Sequence, residues 1–218
     1  MTREVTQARD LPEDLALPLR SGADHWYWLG GSPAVDLVNT LRERWRRRVE
    51  CLVDGADVAE WLRRAGLLGD DSGALIRPNA AHLARARDLR EAIDRSLCAV
   101  VEGRPPGPGD IAVIDDVLAL APRPALRPGA AVPELVDRPP PDPVDAALGA
   151  LALDAARILG TGLRSRLRIC GADDCSARFL DTSPAGRRRW CSMAGCGNRS
   201  KVRRHRARGP TSSAPPSA

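Results

Sequence analysis

Four of the six cysteines in this 218-residue chain form two pairs near its C-terminus. Four residues separate Cys170 from Cys175, fifteen residues follow, and Cys191 and Cys196 repeat the four-residue interval. Two pairs of thiolates suit tetrahedral zinc, which binds sulfur well, and a shell of four cysteines leaves no open position for a substrate. The spacing therefore predicts one structural zinc ion, with an iron–sulfur cluster or a redox thiol set as the alternatives.

Basic residues gather around these cysteines. Between Arg164 and Arg208 there are 13 basic and 3 acidic residues, a net charge of +10, while the rest of the chain carries −5. Nearly all the cations are arginine, as expected of a GC-rich genome, but such a bias does not explain why acidic residues are absent from 182–218. A basic end joined to an acidic body predicts a polyanion as partner.

The residues after Cys196 predict a helix, because no proline occurs before Pro210. In helical periodicity Asn198, Val202 and His205 share one stripe, which we expect to face the zinc module. Basic side chains cover nearly all the other faces, which suits a nucleic-acid groove or contact with phosphates. A solvated helix in an arginine-rich protein is the alternative.

Two aromatic residues flank the cysteines. We expect Phe179 and Trp190 to pack on each other and cover the metal site, since a small module has few other apolar side chains. Stacking of Trp190 on a nucleic-acid base is the alternative.

This segment resembles the CGNR zinc finger, named for the tetrapeptide that stands here at 196–199. The similarity extends to Arg-Leu-Arg-Ile-Cys at 166–170 and Arg-Arg-Trp-Cys-Ser-Met at 188–193. It implies zinc binding by the four cysteines, DNA contacts by the basic helix, and a bracing role for Asn198 at the helix start. The cations expected to contact nucleic acid are Arg188, Arg189, Arg199, Lys201, Arg203, Arg204 and Arg206.

The N-terminal part resembles the ABATE domain, which precedes the finger in that family and implies a regulator of transcription. The similar positions are Gly-Gly at 30–31, Val-Asp-Leu-Val-Asn-Thr at 35–40, Trp-Leu at 61–62 and Leu-Arg-Glu-Ala at 89–92. Together the two resemblances cover about 25–208. They divide the chain into a disordered leader at 1–24, a helical domain at 25–162, the finger at 163–208 and a disordered tail at 209–218.

The apolar periodicity predicts a mainly α fold with a short β element, followed by a finger built of a β-hairpin and the basic helix. Helices are expected from Ser32 to the arginines at 46–48, over 56–65 and 79–102, from an Asp110 cap, and from Asp142 to about 160. Short strands are expected at 25–28 and 49–53. Eight prolines in 121–143 predict a loop or a pair of edge segments.

The aromatic residues of the N-terminal domain allow two interpretations. Trp26, Trp28, Asn39 and Trp45 could line a ligand pocket, but packing in the core is favoured. The sequence contains no nucleophile–base triad, phosphate loop or catalytic metal motif, so we expect no enzyme. No apolar run could span a membrane and the N-terminus lacks a signal peptide, which predicts a cytoplasmic, nucleoid-associated protein.

These observations favour a transcription regulator that binds double-stranded DNA through the zinc finger. Its N-terminal domain would sense a small-molecule effector or form a homodimer, although no coiled-coil repeat indicates one. Two other functions stay open. One is an RNA- or ribosome-associated zinc protein, and the other is a small-molecule-binding protein whose finger is only structural.

Overall fold

A computed structural model describes residues 6–7, 26–69 and 77–207 of the chain. The leader expected at 1–24 and the tail expected at 209–218 lie outside the described residues, apart from the two-residue strand β1 (Thr6–Gln7). Within the described ranges, no helix is both long and apolar enough to cross a membrane.

Five helices form the N-terminal domain in this description, and most begin at the residues that the sequence marks. Their bounds are α1 Pro33–Val38, α2 Gly55–Arg64, α3 Ala80–Val101, α4 Pro108–Leu118 and α5 Pro143–Gly160. Asp54, Asn79 and Asp142 each accept hydrogen bonds from backbone N–H groups in the first turn of α2, α3 and α5. Such caps satisfy donors that have no partner inside the helix.

The strands of the N-terminal domain are short. Strand β3 (Val49–Glu50) pairs in parallel with β1 and antiparallel with β2 (Leu41–Arg42). The proline-rich segment forms an antiparallel hairpin of β4 (Arg123–Arg127) and β5 (Glu134–Arg138). The pair of edge segments is thus the alternative that the structure adopts.

The finger adds one hairpin and one helix. Strand β6 (Leu167–Ile169) pairs antiparallel with β7 (Arg178–Leu180), and α6 spans Asn198–Ala207. Its first cysteine pair lies in the loop between the two strands. The mainly α fold with a small β element and a compact finger is confirmed.

One core joins the two parts of the chain. Apolar side chains of α1, α3 and α5 form its centre, and Leu167 of β6 and Leu180 of β7 belong to the same buried cluster. Helix α5 meets the end of α4 at Gly149, where a Cβ atom would lie 2.3 Å from the backbone nitrogen of Ala121. The finger therefore continues the core of the N-terminal domain.

Three local predictions were wrong. Helix α1 ends at Val38 rather than at 46–48, because Leu41 and Arg42 pair with β3 as strand β2, and the chain then turns with positive φ at Glu43 and Arg48. Residues 26–29 form no regular strand. Helix α4 begins at Pro108, and Asp110 lies in its first turn, where its carboxylate pairs with Arg95 instead of capping.

Candidate metal centre and nucleic-acid interface

The finger brings its four cysteine thiols to one buried point. Cys170 directly follows β6. Its N–H donates to the carbonyl of Ala177, the residue before β7, at 2.9 Å, which extends the pairing of the two strands by one residue. Cys175 closes a tight turn between the strands, and Cys196 lies in a π-helical turn, Met193–Gly197, that leads directly into α6. The position of the last ligand therefore fixes where the basic helix starts.

The sulfur atoms are spaced as a zinc ion requires. All four Sγ atoms lie within 4.8 Å of one another, and Cys191 Sγ lies 3.8 Å from Cys175 Sγ and 3.6 Å from Cys196 Sγ. A tetrahedron with Zn–S bonds of about 2.3 Å has edges of about 3.8 Å. The four thiols fit one zinc ion, which confirms the predicted cofactor and closes the site to substrates.

Hydrogen-bond donors surround the sulfurs. The backbone N–H groups of Ala177 and Cys191 each point at a cysteine Sγ at 3.5 Å, and the guanidinium of Arg199 lies 3.2 Å from Cys196 Sγ. Four thiolates and Zn²⁺ carry a net charge of −2, so these donors offset charge on the ligands. Arg199 thus stabilises the metal centre from the first turn of α6.

Phe179 and Trp190 both contact the cysteine cluster. Phe179 is fully buried among the four cysteines, and the half-buried Trp190 packs against the same group. The guanidinium of Arg188 lies 4.9 Å from the centroid of the Phe179 ring, and that of Arg189 lies 5.3 Å from the centroid of the Trp190 ring. Two of the expected nucleic-acid contacts are therefore held beside the metal site by cation–π interactions.

Asp181 positions the segment that leads into the second cysteine pair, a role that we did not foresee from the sequence. Its carboxylate accepts hydrogen bonds from the hydroxyl and N–H of Ser183, at 2.6 and 3.0 Å, and from the N–H of Arg188 at 2.8 Å. These bonds, above all that from the Ser183 hydroxyl, lower the pKa of Asp181 to about 2.

The prediction of which face of α6 lies against the zinc module is wrong. Asn198, Val202 and His205 are exposed. Instead Arg199 and Arg203 face the module. Both guanidinium groups pair with the carboxylate of Asp174, at 3.3 and 3.4 Å. Periodicity missed this face because the contacts between the helix and the module are ionic rather than apolar.

Asn198 lies at the start of α6, where its side-chain amide donates to the carbonyl of Ala194 at 3.3 Å. This bond ties the helix to the π-helical turn before it. The position agrees with the bracing role that the resemblance implied.

Three cations of the helix point to solvent. Lys201, Arg204 and Arg206 are exposed, and none forms an ion pair with a residue of the described ranges. A groove of about 350 Å³ runs between this helix and the loop that follows β6, lined among others by Arg189, Trp190 and Arg204. Of the three exposed cations, Arg204 lines this groove.

The finger is anchored to the N-terminal domain through β7. The side-chain amide of Asn39 donates to the carbonyl of Arg178 and accepts from its N–H, both at 2.9 Å. The N–H of Leu180 donates to the carbonyl of Gly30 at 2.7 Å, and that of Arg44 donates to the Ser176 hydroxyl at 3.0 Å. The sequence did not predict these contacts, since Arg178 lies 139 positions after Asn39.

A buried network of charges reinforces this junction. The guanidinium of Arg178 lies 2.7 Å from the carboxylate of Asp94 on α3, and that of Arg44 lies 3.1 Å from it and 2.7 Å from Glu91. The side chains of Arg178 and Arg44 are 6% and 8% exposed. A buried charge that loses its partner is strongly destabilising. The network therefore ties the orientation of the finger to α3.

The residues considered for a ligand pocket all make packing or docking contacts. Trp26 is buried in the main core, and Trp28 stacks on Trp61 with ring centroids 5.6 Å apart. Trp45 is half exposed, with the guanidinium of Arg178 5.3 Å from its ring centroid. Asn39 is the anchor of β7 described above, so packing and docking account for this group.

Two family models match the chain in the order of its domains. The ABATE model, whose description is "putative stress-induced transcription regulator", matches residues 31–162, and the model of the CGNR zinc finger matches residues 166–209. No curated protein matches the chain.

Proposed function

Because the chain belongs to the ABATE family and carries a CGNR zinc finger, we propose that it regulates transcription by binding double-stranded DNA through α6. The observation that carries the proposal is the set of exposed cations, Lys201, Arg204 and Arg206, on a helix that begins directly after a zinc ligand. Zinc fixes where the helix starts, phosphates supply most of the affinity, and one or two arginines read guanine edges.

The N-terminal domain acts as the regulatory part in this proposal. Its helix α3 carries Asp94, which pairs with Arg178 in the strand that also follows the first cysteine pair. A small-molecule effector that moved α3 would therefore turn the finger relative to the body. The protein works as a cytoplasmic, nucleoid-associated regulator without a catalytic role.

Selection from a pool of random DNA duplexes, followed by sequencing, tests the proposal directly. A regulator enriches one sequence motif, and its affinity for that motif falls steeply with salt because counterions are released. Binding of structured RNA in place of any duplex motif would assign the exposed cations of α6 to RNA. Absence of salt-dependent binding to either nucleic acid would leave a small-molecule-binding protein with a structural finger.

Matched variants locate the surface. Arg204→Ala removes an exposed cation of α6 and should weaken binding and flatten the salt dependence by about one unit of slope. Arg127→Ala removes another exposed cation, which pairs with Glu134 on the β4–β5 hairpin outside the finger, and should leave binding unchanged. Equal losses in the two variants would show that binding follows overall charge rather than α6.

A further inference from the structure

The β4–β5 hairpin stands apart from the helices. It is a two-stranded sheet, and no described strand pairs with the outer edge of either strand. Most of its contacts are between its own two strands. Isolated two-stranded hairpins are only marginally stable in water, so an exposed one gains from a further strand.

One face of the hairpin presents a pair of leucines to solvent. Leu126 and Leu135 lie directly opposite each other in the register of the two strands. They are 69% and 75% exposed, more than any other large apolar residue in the described ranges. Large apolar side chains on an open strand edge are typical of a surface that associates with another chain.

Pro124 indicates which backbone groups are free. A proline has no N–H, so in a two-stranded ladder it sits where that group would face away from the partner strand. Since Pro124 lies opposite Asp137, the alternation of the ladder places the outward N–H and C=O groups of β5 at Leu135 and Asp137. Strand β5 thus offers a regular set of donors and acceptors along its outer edge.

The side chains of β5 complement their own copy. Its sequence is Glu134-Leu135-Val136-Asp137-Arg138. An antiparallel copy centred on Val136 sets Glu134 opposite Arg138 at both ends and pairs the outward backbone groups of Leu135 with those of Asp137. The two copies of Leu135 then lie on one diagonal, about 7–8 Å apart, close enough to contact.

Strand β4 lacks this complementarity. The same operation about Ala125 sets Arg123 opposite Arg127, so that like charges face each other, and Pro124 removes an outward donor. We therefore propose that two copies of the chain associate through β5 and form a four-stranded antiparallel sheet in the order β4–β5–β5–β4. The occupant of this edge is a second copy of the same chain.

Sedimentation velocity of the zinc-loaded full chain tests the proposal. The wild type should sediment with twice the 23.4 kDa of one chain, in a concentration-dependent manner. Arg138→Glu places glutamates opposite each other at both ends and should weaken the dimer by about tenfold or more. Within one chain it creates an attraction to Arg123, its register partner, so loss of the hairpin does not explain the result.

A charge exchange supplies the rescue. The triple variant Arg127→Glu/Glu134→Arg/Arg138→Glu keeps the ion pair across the hairpin with its sign reversed, and restores opposite charges between the copies. It should dimerise like the wild type. A wild type that stays monomeric at every concentration, or an Arg138→Glu dimer as tight as the wild type, would overturn the proposal.

Crosslinking tests the register. In a sheet centred on Val136 the two copies of that residue form a non-hydrogen-bonded pair with Cα atoms about 4.5 Å apart, within the range of a disulfide. Val136→Cys should therefore crosslink under mild oxidation. Ala125→Cys, on the same face of β4, would lie about 14 Å from its copy and should not. Crosslinking of both variants alike, or of neither, counts against the register.

The two proposals fail separately. Dimerisation through β5 is measured by mass and by crosslinking, neither of which involves nucleic acid. A monomer that binds duplex DNA would support the proposed function and overturn this interface. A dimer that binds no DNA would support the interface and overturn the proposed function.

Discussion

The side-chain amide of Asn39 exchanges two hydrogen bonds with the backbone of Arg178, as a neighbouring strand would. Asn39 follows α1, and Arg178 begins β7 in the finger. Through this contact one residue of the N-terminal domain extends the sheet of the zinc module. The basic helix is therefore held in a fixed relation to the body rather than carried on a flexible tether.

Asn39→Ala should destabilise the chain strongly. It leaves the N–H and C=O of Arg178 buried without their partners, and each such group costs about 1–3 kcal/mol. We expect the free energy of unfolding in urea to fall by about 2–4 kcal/mol. Asn198→Ala removes an exposed amide that makes one bond, and should change it by less than about 0.5 kcal/mol. Similar losses for the two variants would argue against the anchor.

Asp94→Ala tests the buried charge network. The substitution leaves Arg178 without its carboxylate partner and Arg44 with only Glu91, at a depth where an unpaired charge costs about 3–5 kcal/mol. The free energy of unfolding should fall by about that amount. Glu60→Ala breaks the exposed pair with Arg64 on α2 and should cost no more than about 1 kcal/mol. A loss below 1 kcal/mol for Asp94→Ala would show that the network contributes little.

Local signals predicted much of this fold. The caps at Asn79 and Asp142 and the apolar spacing after each gave α3 and α5 almost to the residue, because caps and periodicity act within one helix. The two cysteine pairs predicted the zinc site for the same reason. The docking of the finger could not be predicted from the sequence. Asn39 looks like any polar residue that follows a helix, and its role becomes visible only when the fold places Arg178, which is far away in sequence, beside it.

The orientation of α6 escaped prediction for a different reason. Apolar periodicity identifies the buried face of a helix, yet α6 has no buried residue and contacts the module through ion pairs to Asp174. In a helix that is basic nearly all round, the sequence does not distinguish a guanidinium that pairs within the protein from one that is free. Hence Arg199 and Arg203 were grouped with Lys201 and Arg204.

Loss of zinc should affect the whole chain. Cys175→Ser removes a ligand, and because Leu180 of the finger lies in the main core, we expect a lower melting temperature for the N-terminal domain as well. The zinc content measured by metal analysis should fall from about one ion per chain to well below that value. Cys51→Ala changes a buried thiol outside the site and should keep its zinc. Full zinc content in Cys175→Ser would contradict the assigned ligands.

Asp174→Asn should strengthen DNA binding. The carboxylate of Asp174 pairs with Arg199 and Arg203, so its removal frees both cations for phosphates. The slope of log affinity against log salt should steepen by about one to two units. Asp173→Asn makes the same change in charge at the adjacent exposed residue without breaking an ion pair of the described ranges. Equal gains in the two variants would mean that only net charge matters.

The carboxyl group of Asp36 should make the stability of the chain depend on pH. It is buried in α1 and accepts from the N–H of Gly30 at 2.7 Å. Burial raises its pKa from 3.8 to about 7, against the opposing effect of that hydrogen bond. A raised pKa means that the folded state keeps its proton where the unfolded state has lost it. This group therefore lowers the free energy of unfolding progressively from about pH 4 to pH 7.

Asp36→Asn should remove this dependence, because asparagine reproduces the neutral form at every pH. Unfolding in urea at pH 5 and at pH 8 should show that the variant loses less stability between the two than the wild type does. Asp88→Asn, at an exposed position of α3, should lose as much as the wild type. If Asp36→Asn shifts the free energy of unfolding equally at both pH values, Asp36 is ionised in the folded protein throughout this range and its burial does not control its proton.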